Sequence, residues 1–306
     1  MTISAKVIEH SVSEAGKELV TMELKYPRFI HAEFMTHRVF SRNASSSRAI
    51  PVAKMIEQVR TAPAMPIHWG KNQPGMQAFE ETLDARVFLD LPMEHDNPSD
   101  VPLFTFERTE LTGSEAWCHA ANSAADIAAA MAAAGYHKQV VNRILEPFLH
   151  ISVIVTATEW DNFYELRDHP DAQPEIRELA RQMKEAMHVS PRVLRPRDRQ
   201  LTAAWHLPYV TPEERDLYPE GPKFLAKLSA ARCARVSYLT HDGREPSRAE
   251  DMALYERLVG SRPLHASPIE HQAYPLPRAD QRSRNFLGWR QHREIVETTF
   301  TTKEQA

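Results

Sequence analysis

The most polar stretch of the chain is His37-Arg38-Val39-Phe40-Ser41-Arg42-Asn43-Ala44-Ser45-Ser46-Ser47-Arg48. It holds three Arg and four Ser within twelve residues and follows a short apolar segment. Serine hydroxyls, exposed backbone N–H groups and arginine forks are the groups that proteins use to hold phosphate oxygens. The sequence has neither a P-loop pattern nor a glycine-rich dinucleotide fingerprint. The stretch therefore indicates either a solvated polar loop or a phosphate site of another kind.

The segments on either side of this stretch have the patterns of both strands and helices. Alternating and β-branched apolar residues predict strands over residues 6–11, 17–26 and 151–158. Apolar spacing predicts a short helix that ends near Arg38, and Pro51 is placed to open the next helix. Longer helices are predicted over residues 76–91, 114–135, 137–145, 161–167, 173–188, 223–236 and 247–259. The fold class is therefore α/β (α+β), with a central sheet flanked by helices.

Composition limits the function classes. The 306 residues are 42% hydrophobic and 25% charged, as in ordinary globular proteins, and no apolar run approaches the length of a membrane span. The formal net charge of -4 argues against a protein that grips duplex nucleic acid, although a local arginine cluster can still serve one phosphate. With two cysteines and no signal-peptide pattern, we expect a cytoplasmic protein, or the host cytoplasm if the source is viral.

Two further polar clusters lie later in the chain. Residues 162–177 taken alone are typical of two amphipathic helices with charged outer faces. Residues 229–238 are followed by a cluster containing His265, Glu270 and His271. Its spacing is not the helical H-E-x-x-H pattern, and Pro268 would interrupt a helix, so a structural His–Glu pairing is expected and no metal site.

Together these clusters resemble the flavin-dependent thymidylate synthases. The family signature is Arg-His-Arg-x-x-Ser-x-Asn-x-x-Ser-x-Arg-Tyr, and the first cluster is similar to it at His37, Arg38, Ser41, Asn43, Ser46 and Arg48. A later family motif, Asn-x-x-x-Leu-Arg before Ala-Gln-x-Glu-Ile, is similar to Asn162, Leu166, Arg167, Ala172, Gln173, Glu175 and Ile176. Arg143 lies in Val-x-Arg-Ile-Leu-x-Pro, which looks like another arginine position of the family.

The third cluster resembles segments that normally open such enzymes, yet here it lies near the C-terminus. The resemblance therefore implies a circularly permuted ThyX-like catalytic fold, of the kind found in phages. The expected organisation is a catalytic core over residues 1–189, a connector over 190–222, and a segment over 223–306 equivalent to the usual N-terminal part. Termini of domains often lie close together, which makes such a rearrangement physically inexpensive.

The resemblance also implies roles for individual residues. The dUMP-binding residues would be Glu33, Ser46, Ser47, Arg48, Arg143 and Arg167. The FAD-binding residues would be His37, Arg38, Asn43, Asn162, Ser237, Ser267 and His271. Catalytic roles would fall to Arg167, Ser46 and His265, with Arg167 at the uracil carbonyl and His265 on the folate side of the flavin. The reaction would use NADPH as reductant and methylene-tetrahydrofolate as carbon donor, in a homotetramer without nucleic-acid or membrane partners.

Four positions depart from the family pattern. Thr36 stands where the first Arg of the triplet belongs, Glu33 replaces a Gln, Ala44 an acidic residue and Ala49 the closing Tyr. A sister enzyme that hydroxymethylates dUMP or dCMP, and a non-catalytic flavin- and nucleotide-binding homologue, therefore stay open. Cys118 lies in an Ala-rich helical pattern, where a small buried cysteine is expected rather than a nucleophile.

Overall fold

The computed structural model describes residues 3–92, 106–237 and 245–304, and it divides the chain into two compact units. The first unit comprises Met1–Ala49 and His150–Ala306, and the second comprises Ile50–Leu149. The strands of the first unit are β1 (Ser4–Ser13), β2 (Glu18–Pro27), β3 (Ser41–Ala44), β6 (His150–Ala157), β7 (Val193–Arg195), β8 (Ala273–Pro275), β9 (Arg282–Ser283), β10 (Phe286–Leu287) and β11 (Trp289–Gln291). Its helices are α1 (His31–Phe34), α5 (Asp161–Arg167), α6 (Pro174–Val189), α7 (Pro212–Leu217), α8 (Pro222–Ala234), α9 (Arg248–Leu258) and α10 (His292–Glu304).

The first unit is built on a five-stranded sheet in the order β3-β6-β2-β1-β7. Neighbouring strands in this sheet are antiparallel, except that β7 pairs parallel with β1. Alternate residues of β2 and β6 face opposite sides of the sheet. On one side, Val20, Met22 and Val155 pack with Leu179 and Met183 of α6. This arrangement confirms a mixed α/β fold with a central sheet flanked by helices.

The other side of the sheet is polar. Thr21 of β2 and Thr156 of β6 lie opposite one another in the ladder, and both are fully buried. The C-terminal part of the chain supplies the residues that meet this side, among them His206 and His271. We refer below to the side that packs on α6 as the apolar face and to the side of Thr21 and Thr156 as the polar face.

The second unit contains α2 (Val52–Thr61), α3 (Gly113–Ala133) and α4 (Lys138–Leu145), together with a hairpin of β4 (Arg86–Pro92) and β5 (Phe106–Thr112). Buried residues of the three helices, including Met55, Ala125 and Val141, form a separate core. Thr112 caps α3 through a capping box with Glu115.

Most sequence predictions of secondary structure are confirmed, but the helix predicted over residues 76–91 is wrong. The segment ends in β4, in which Val87, Leu89 and Leu91 are partly covered while their neighbours are exposed. That period of two belongs to a strand, and it was hidden by the helix-compatible residues before it. The remaining predicted helices agree with α3, α4, α5, α6, α8 and α9 within a few residues.

The segment predicted as a connector, 190–222, contains β7 and α7. The division into core, connector and permuted segment stays a prediction. Among residues 3–92, 106–237 and 245–304, no helix combines the length and the apolar character needed to cross a membrane.

Candidate active site

The link between β2 and β3 carries the start of the polar stretch, and Arg42 fixes its shape. The Arg42 guanidinium donates from Nη1 to the carbonyl oxygens of Met35 at 3.0 Å and His37 at 3.1 Å. These carbonyls follow α1, where a helix leaves its last C=O groups unpaired. Arg42 therefore serves the backbone of the link rather than a ligand, and it holds the residues from Glu33 to Arg38 in place.

Arg167, the last residue of α5, joins this link through three hydrogen bonds. Its Nε donates to His37 Nε2 at 3.0 Å, its Nη1 donates to a carboxylate oxygen of Glu33, and its Nη2 lies 3.4 Å from Thr36 Oγ1. The Arg167 and Glu33 side chains are 19% and 27% exposed, so the pair is only partly shielded from solvent. We call Glu33, Thr36, His37 and Arg167 the Arg167 clamp.

His37 is the buried member of the clamp. Its ring packs edge-on against Phe163 at a centroid distance of 4.9 Å and stacks on Phe40 at 5.8 Å. Burial, with the charges of Arg167 and Arg42, lowers the pKa of His37 below its ordinary value. His37 is therefore neutral at pH 7, and the bond from Arg167 assigns the lone pair to Nε2 and the proton to Nδ1.

The Ser45–Arg48 segment leaves the sheet directly after β3. The Ser45 backbone N–H donates to the Ser152 carbonyl at 2.8 Å, and Ser45 Oγ accepts from the Ser152 N–H at 3.2 Å. The chain then turns, with the Ala49 N–H bonded to the Ser46 carbonyl at 3.0 Å. Ser47 is buried in this turn and Arg48 is exposed.

Two residues of β3 contact segments that lie about 190 or more positions later in the sequence. The Asn43 amide donates from Nδ2 to the Cys233 carbonyl at 2.7 Å, and its Oδ1 lies 3.4 Å from Ser267 Oγ. Ser237 Oγ donates to the Ala44 carbonyl at 2.6 Å. The structure therefore brings the polar stretch of β3 together with both parts of the third sequence cluster.

His271 lies on the polar face and is completely buried. Its Nδ1 is 2.8 Å from Thr156 Oγ1, and its Nε2 has no hydrogen-bond partner among the described residues. Burial, with a smaller contribution from His206, lowers the pKa of His271 to about 3, so the ring is neutral at pH 7. A buried ring nitrogen without a partner needs a physical explanation.

Other residues assigned by resemblance take no part in the contacts described above. Arg38, Asn162 and His265 are exposed. Arg143 belongs to the second compact unit, where its Nη1 is 2.9 Å from Glu146 Oε1. The predicted structural pairing of Glu270 is with a histidine, whereas the structure pairs its carboxylate with Arg293 in an ion pair. Within the described part of the chain, no cluster of His, Cys, Asp or Glu is arranged to hold a metal ion.

The model of one protein family, described as thymidylate synthase complementing protein, matches residues 6–192. This range is more than half of the chain and contains both the Ser41–Arg48 motif and the Arg167 motif. The chain belongs to this family. The match confirms the resemblance to the flavin-dependent thymidylate synthases and supports an enzyme that acts on dUMP.

Solved structures give a more distant likeness. A UMP/dUMP methylase, PolB from Streptomyces cacaoi, bound with 5-Br UMP is 14% identical, with 60% of this chain and 88% of that chain covered and a TM-score of 0.37. The same enzyme bound with 5-Br dUMP is 15% identical, with 60% and 89% covered and a TM-score of 0.35. No curated protein sequence matches the chain.

The family motifs did not point to the residues that are linked to His271 by buried hydrogen bonds. Ser11, Thr21, Thr156 and His206 are buried polar residues of the polar face, Glu9 beside them is half-buried, and none of them lies in a motif. The one signal in the sequence is a threonine between two apolar residues in each of two strands, Val20-Thr21-Met22 and Val155-Thr156-Ala157. Such a residue needs a hydrogen-bond partner when it is buried.

Proposed function

We propose that this protein transfers a one-carbon unit from methylene-tetrahydrofolate to C5 of dUMP, with FAD as the bound cofactor and NADPH as the reductant. The observation that carries the proposal is the Arg167 clamp. It joins a residue of the late family motif to Glu33, Thr36 and His37, at the start of the Ser41–Arg48 motif. Methyl transfer is the first choice because the matched residues are those of methyl-transferring relatives.

Residues of the polar stretch and the clamp would hold the nucleotide. Ser46, Ser47 and Arg48 would take the phosphate, since hydroxyl groups and guanidinium forks suit phosphate oxygens. Arg167 would donate to a uracil carbonyl and stabilise negative charge that develops on the base. Holding both ends of one nucleotide fixes C5 in place, and such positioning lowers the barrier of a group transfer.

The residues of the polar face fit a flavin. His271 Nε2 is a buried nitrogen without a partner in the described ranges of the chain, and Ser267 of the same segment lies beside Asn43. His37 precedes β3 in the sequence, and Ser237 bonds to Ala44, the last residue of β3. Arg38, Asn162 and His265 are exposed and accessible for contact. FAD supplies the redox chemistry when bound, and the chain supplies orientation and electrostatics.

The decisive experiment is a mass spectrum of the nucleotide after anaerobic incubation with dUMP, FAD, NADPH and methylene-tetrahydrofolate. A product heavier than dUMP by one methylene group supports methyl transfer. A product with an additional oxygen supports hydroxymethyl transfer. Unchanged dUMP with every component supplied excludes transfer to dUMP. If dCMP is also unchanged in a parallel incubation, only a non-catalytic flavin- and nucleotide-binding protein is left.

Hydroxymethyl transfer to dUMP or dCMP is the second candidate, and one contact favours it. Glu33 stands where the family has Gln, and its carboxylate forms an ion pair with Arg167. A carboxylate only accepts hydrogen bonds, whereas an amide also donates, so the donors offered to the base differ from those of the family. Parallel incubations with dUMP and dCMP separate the two substrates.

A cysteine-dependent mechanism is the competing enzyme class, and Cys118 tests it. Cys118 is partly buried in α3, where its Sγ lies 3.9 Å from Met65 Sδ. The other cysteine, Cys233, is fully buried, and this burial raises the pKa of its thiol. We expect Cys118→Ala to retain turnover and Arg48→Ala to lose it, and the reverse pattern would favour the cysteine-dependent mechanism.

The circular permutation is also a proposal, supported by the contacts of Asn43 and Ala44 with Ser267 and Ser237. The family match ends at residue 192, so the permuted segment lies beyond it. A gene that places residues 223–306 in front of residue 1 should yield a folded protein that binds FAD. Light scattering of the same preparation tests the homotetramer.

A further inference from the structure

A chain of buried hydrogen bonds runs along the polar face from Glu9 to His271. His271 Nδ1 is 2.8 Å from Thr156 Oγ1, and Thr156 Oγ1 is 2.7 Å from Thr21 Oγ1. Thr21 Oγ1 is 2.8 Å from His206 Nε2, and His206 Nδ1 is 2.8 Å from Ser11 Oγ. The five side chains from Ser11 to His271 are fully buried. We call this series the Glu9–His271 chain.

The charged end of the Glu9–His271 chain determines the direction in which its hydrogen bonds are donated. Glu9 accepts from Arg195 at 2.6 Å, from Arg215 at 2.8 Å and from the Leu207 N–H at 2.8 Å, which keeps it ionised. Ser11 Oγ accepts from Arg195 Nε at 3.1 Å, and it can donate to Glu9 at 3.4 Å. His206 Nδ1 lies 3.9 Å from Glu9 Oε1, so the carboxylate favours a proton on this ring nitrogen.

The proton on His206 Nδ1 fixes every later bond, because each threonine hydroxyl carries one proton. A neutral His206 with Nδ1–H accepts at Nε2, so Thr21 must donate to it. Thr21 has then no proton left for Thr156, and Thr156 donates to Thr21. Thr156 can therefore only accept from His271, which places the proton of that ring on Nδ1 and leaves a lone pair on Nε2.

We propose that the Glu9–His271 chain locks His271 in the Nδ1-protonated tautomer and presents its Nε2 as an acceptor for an N–H group of the bound flavin. Only the identity of the ligand, the flavin, rests on the proposed function; the tautomer of His271 follows from the hydrogen bonds. The isoalloxazine ring carries N–H donors, which an unprotonated Nε2 can accept. In a histidine protonated on Nε2, the ring N–H and the flavin N–H would both be donors and could not bond. Thr21, Thr156, His206 and Ser11 act as positioning residues, since they reach the ligand only through His271.

The tautomer is measured directly by nitrogen NMR of the histidine rings in ¹⁵N-labelled protein, with His271→Gln to assign the signal. We expect His271 to show a protonated Nδ1 and an unprotonated Nε2. Thr156→Val removes the hydroxyl at nearly constant volume and should produce a mixture of tautomers, whereas Thr156→Ser should restore the single form. A wild-type ring protonated on Nε2, or a Thr156→Val ring unchanged from wild type, overturns the lock.

Thr158→Val is the matched control. Thr158 lies two residues after Thr156, just beyond the end of β6, and is buried. Its hydroxyl accepts from the Leu287 N–H at 3.0 Å and takes no part in the Glu9–His271 chain. Titration with FAD should give a Kd about five- to tenfold weaker for Thr156→Val than for Thr158→Val, the size of one lost hydrogen bond. Equal affinities overturn the role in flavin binding.

Two provisions keep the outcome unambiguous. If Thr156→Val does not fold, Thr21→Val interrupts the same series one step earlier and is scored in the same way. If wild-type protein does not bind FAD, the flavin assignment fails together with the proposed function. The ring tautomer still decides the lock by itself, because it is read without ligand.

Discussion

The two faces of the central sheet are made from alternate residues of the same strands, yet they differ in what holds them together. On the apolar face, Val20 and Met22 pack against Leu179 and Met183 of α6. On the polar face, Thr21 lies between those two residues in the sequence and bonds to Thr156 and His206. Apolar packing is non-directional and tolerates many arrangements, whereas a buried hydrogen-bond series is satisfied by only one.

This difference separates stability from positioning. We infer that the apolar face supplies most of the free energy of folding, because burial of hydrocarbon is the dominant favourable contribution. The polar face contributes less net free energy, but it fixes the orientation of side chains that meet β3 and His271. Substitutions on the first face should therefore have their largest effect on stability, whereas substitutions on the second should change binding as well as stability.

The largest effect is expected from Leu179→Ala on the apolar face. Leu179 is fully buried, and removal of its side chain loses transfer free energy and leaves a cavity, so unfolding should become easier by about 2–5 kcal/mol. Urea denaturation measures this change. Glu185→Ala on the exposed side of the same helix is the control and should stay within about 0.5 kcal/mol. A loss below about 1 kcal/mol for Leu179→Ala would contradict a stabilising role for this face.

A second effect concerns the Arg167 clamp. Arg167→Ala removes a charge-assisted donor from the nucleotide, and dUMP binding should weaken roughly ten- to a hundredfold. Isothermal titration with dUMP measures the affinity. Arg181→Ala, at an exposed arginine of α6 paired with Glu178, is the matched control and should bind as wild type does. Equal affinities for the two variants would remove Arg167 from the site.

Much of the Arg167 clamp could be predicted from the sequence, and the Glu9–His271 chain could not. Arg167 and His37 lie in motifs inside the range that the family model matches, so a short stretch of sequence carries the signal. Glu9 and His206 are 197 positions apart and are joined only because β1 and the segment after β7 meet on one face. No local pattern records that contact.

The strands of the sheet and most helices were predictable for a similar reason. Val20, Met22 and Leu24 repeat with a period of two within one strand, and Ile176, Leu179, Ala180 and Met183 repeat along one side of α6. The hairpin of β4 and β5 was not predicted, because β4 follows helix-compatible residues and residues 93–105 separate the two strands in the sequence. Its sparse apolar residues stay partly exposed even when paired.

A third effect is the pH dependence of stability. Burial lowers the pKa of His206 to about 4 and that of His271 to about 3, while both return to about 6.5 in the unfolded chain. The unfolded state therefore binds more protons below pH 6.5, and stability falls on acidification from pH 6.5 towards pH 4. At pH 5.5 each histidine should cost about 1.4 kcal/mol relative to neutral pH.

Urea denaturation at pH 7.5, 6.5 and 5.5 measures this slope. His206→Gln removes one titrating group, so its free energy of unfolding should fall less steeply with acid than that of wild type. His265→Gln, at an exposed histidine, controls for the effect of a His-to-Gln substitution as such. Equal slopes for all three proteins would mean that His206 already carries a proton in the folded state.

The smallest effect is expected from Ser267→Ala, at the edge of the polar face. Ser267 Oγ lies 3.4 Å from Asn43 Oδ1, a long contact, and the Asn43 amide keeps its 2.7 Å bond to the Cys233 carbonyl when the serine hydroxyl is removed. Loss of one such hydrogen bond should lower the free energy of unfolding by about 0.5 kcal/mol. Asn43→Ala removes both contacts and should cost about 1–3 kcal/mol, because it leaves the buried partners of the amide unpaired. The ratio between the two variants tests whether Asn43 or Ser267 holds β3 to the C-terminal part. If Ser267→Ala lowered the free energy of unfolding more than Asn43→Ala, then Ser267 rather than Asn43 would hold β3 to the C-terminal part.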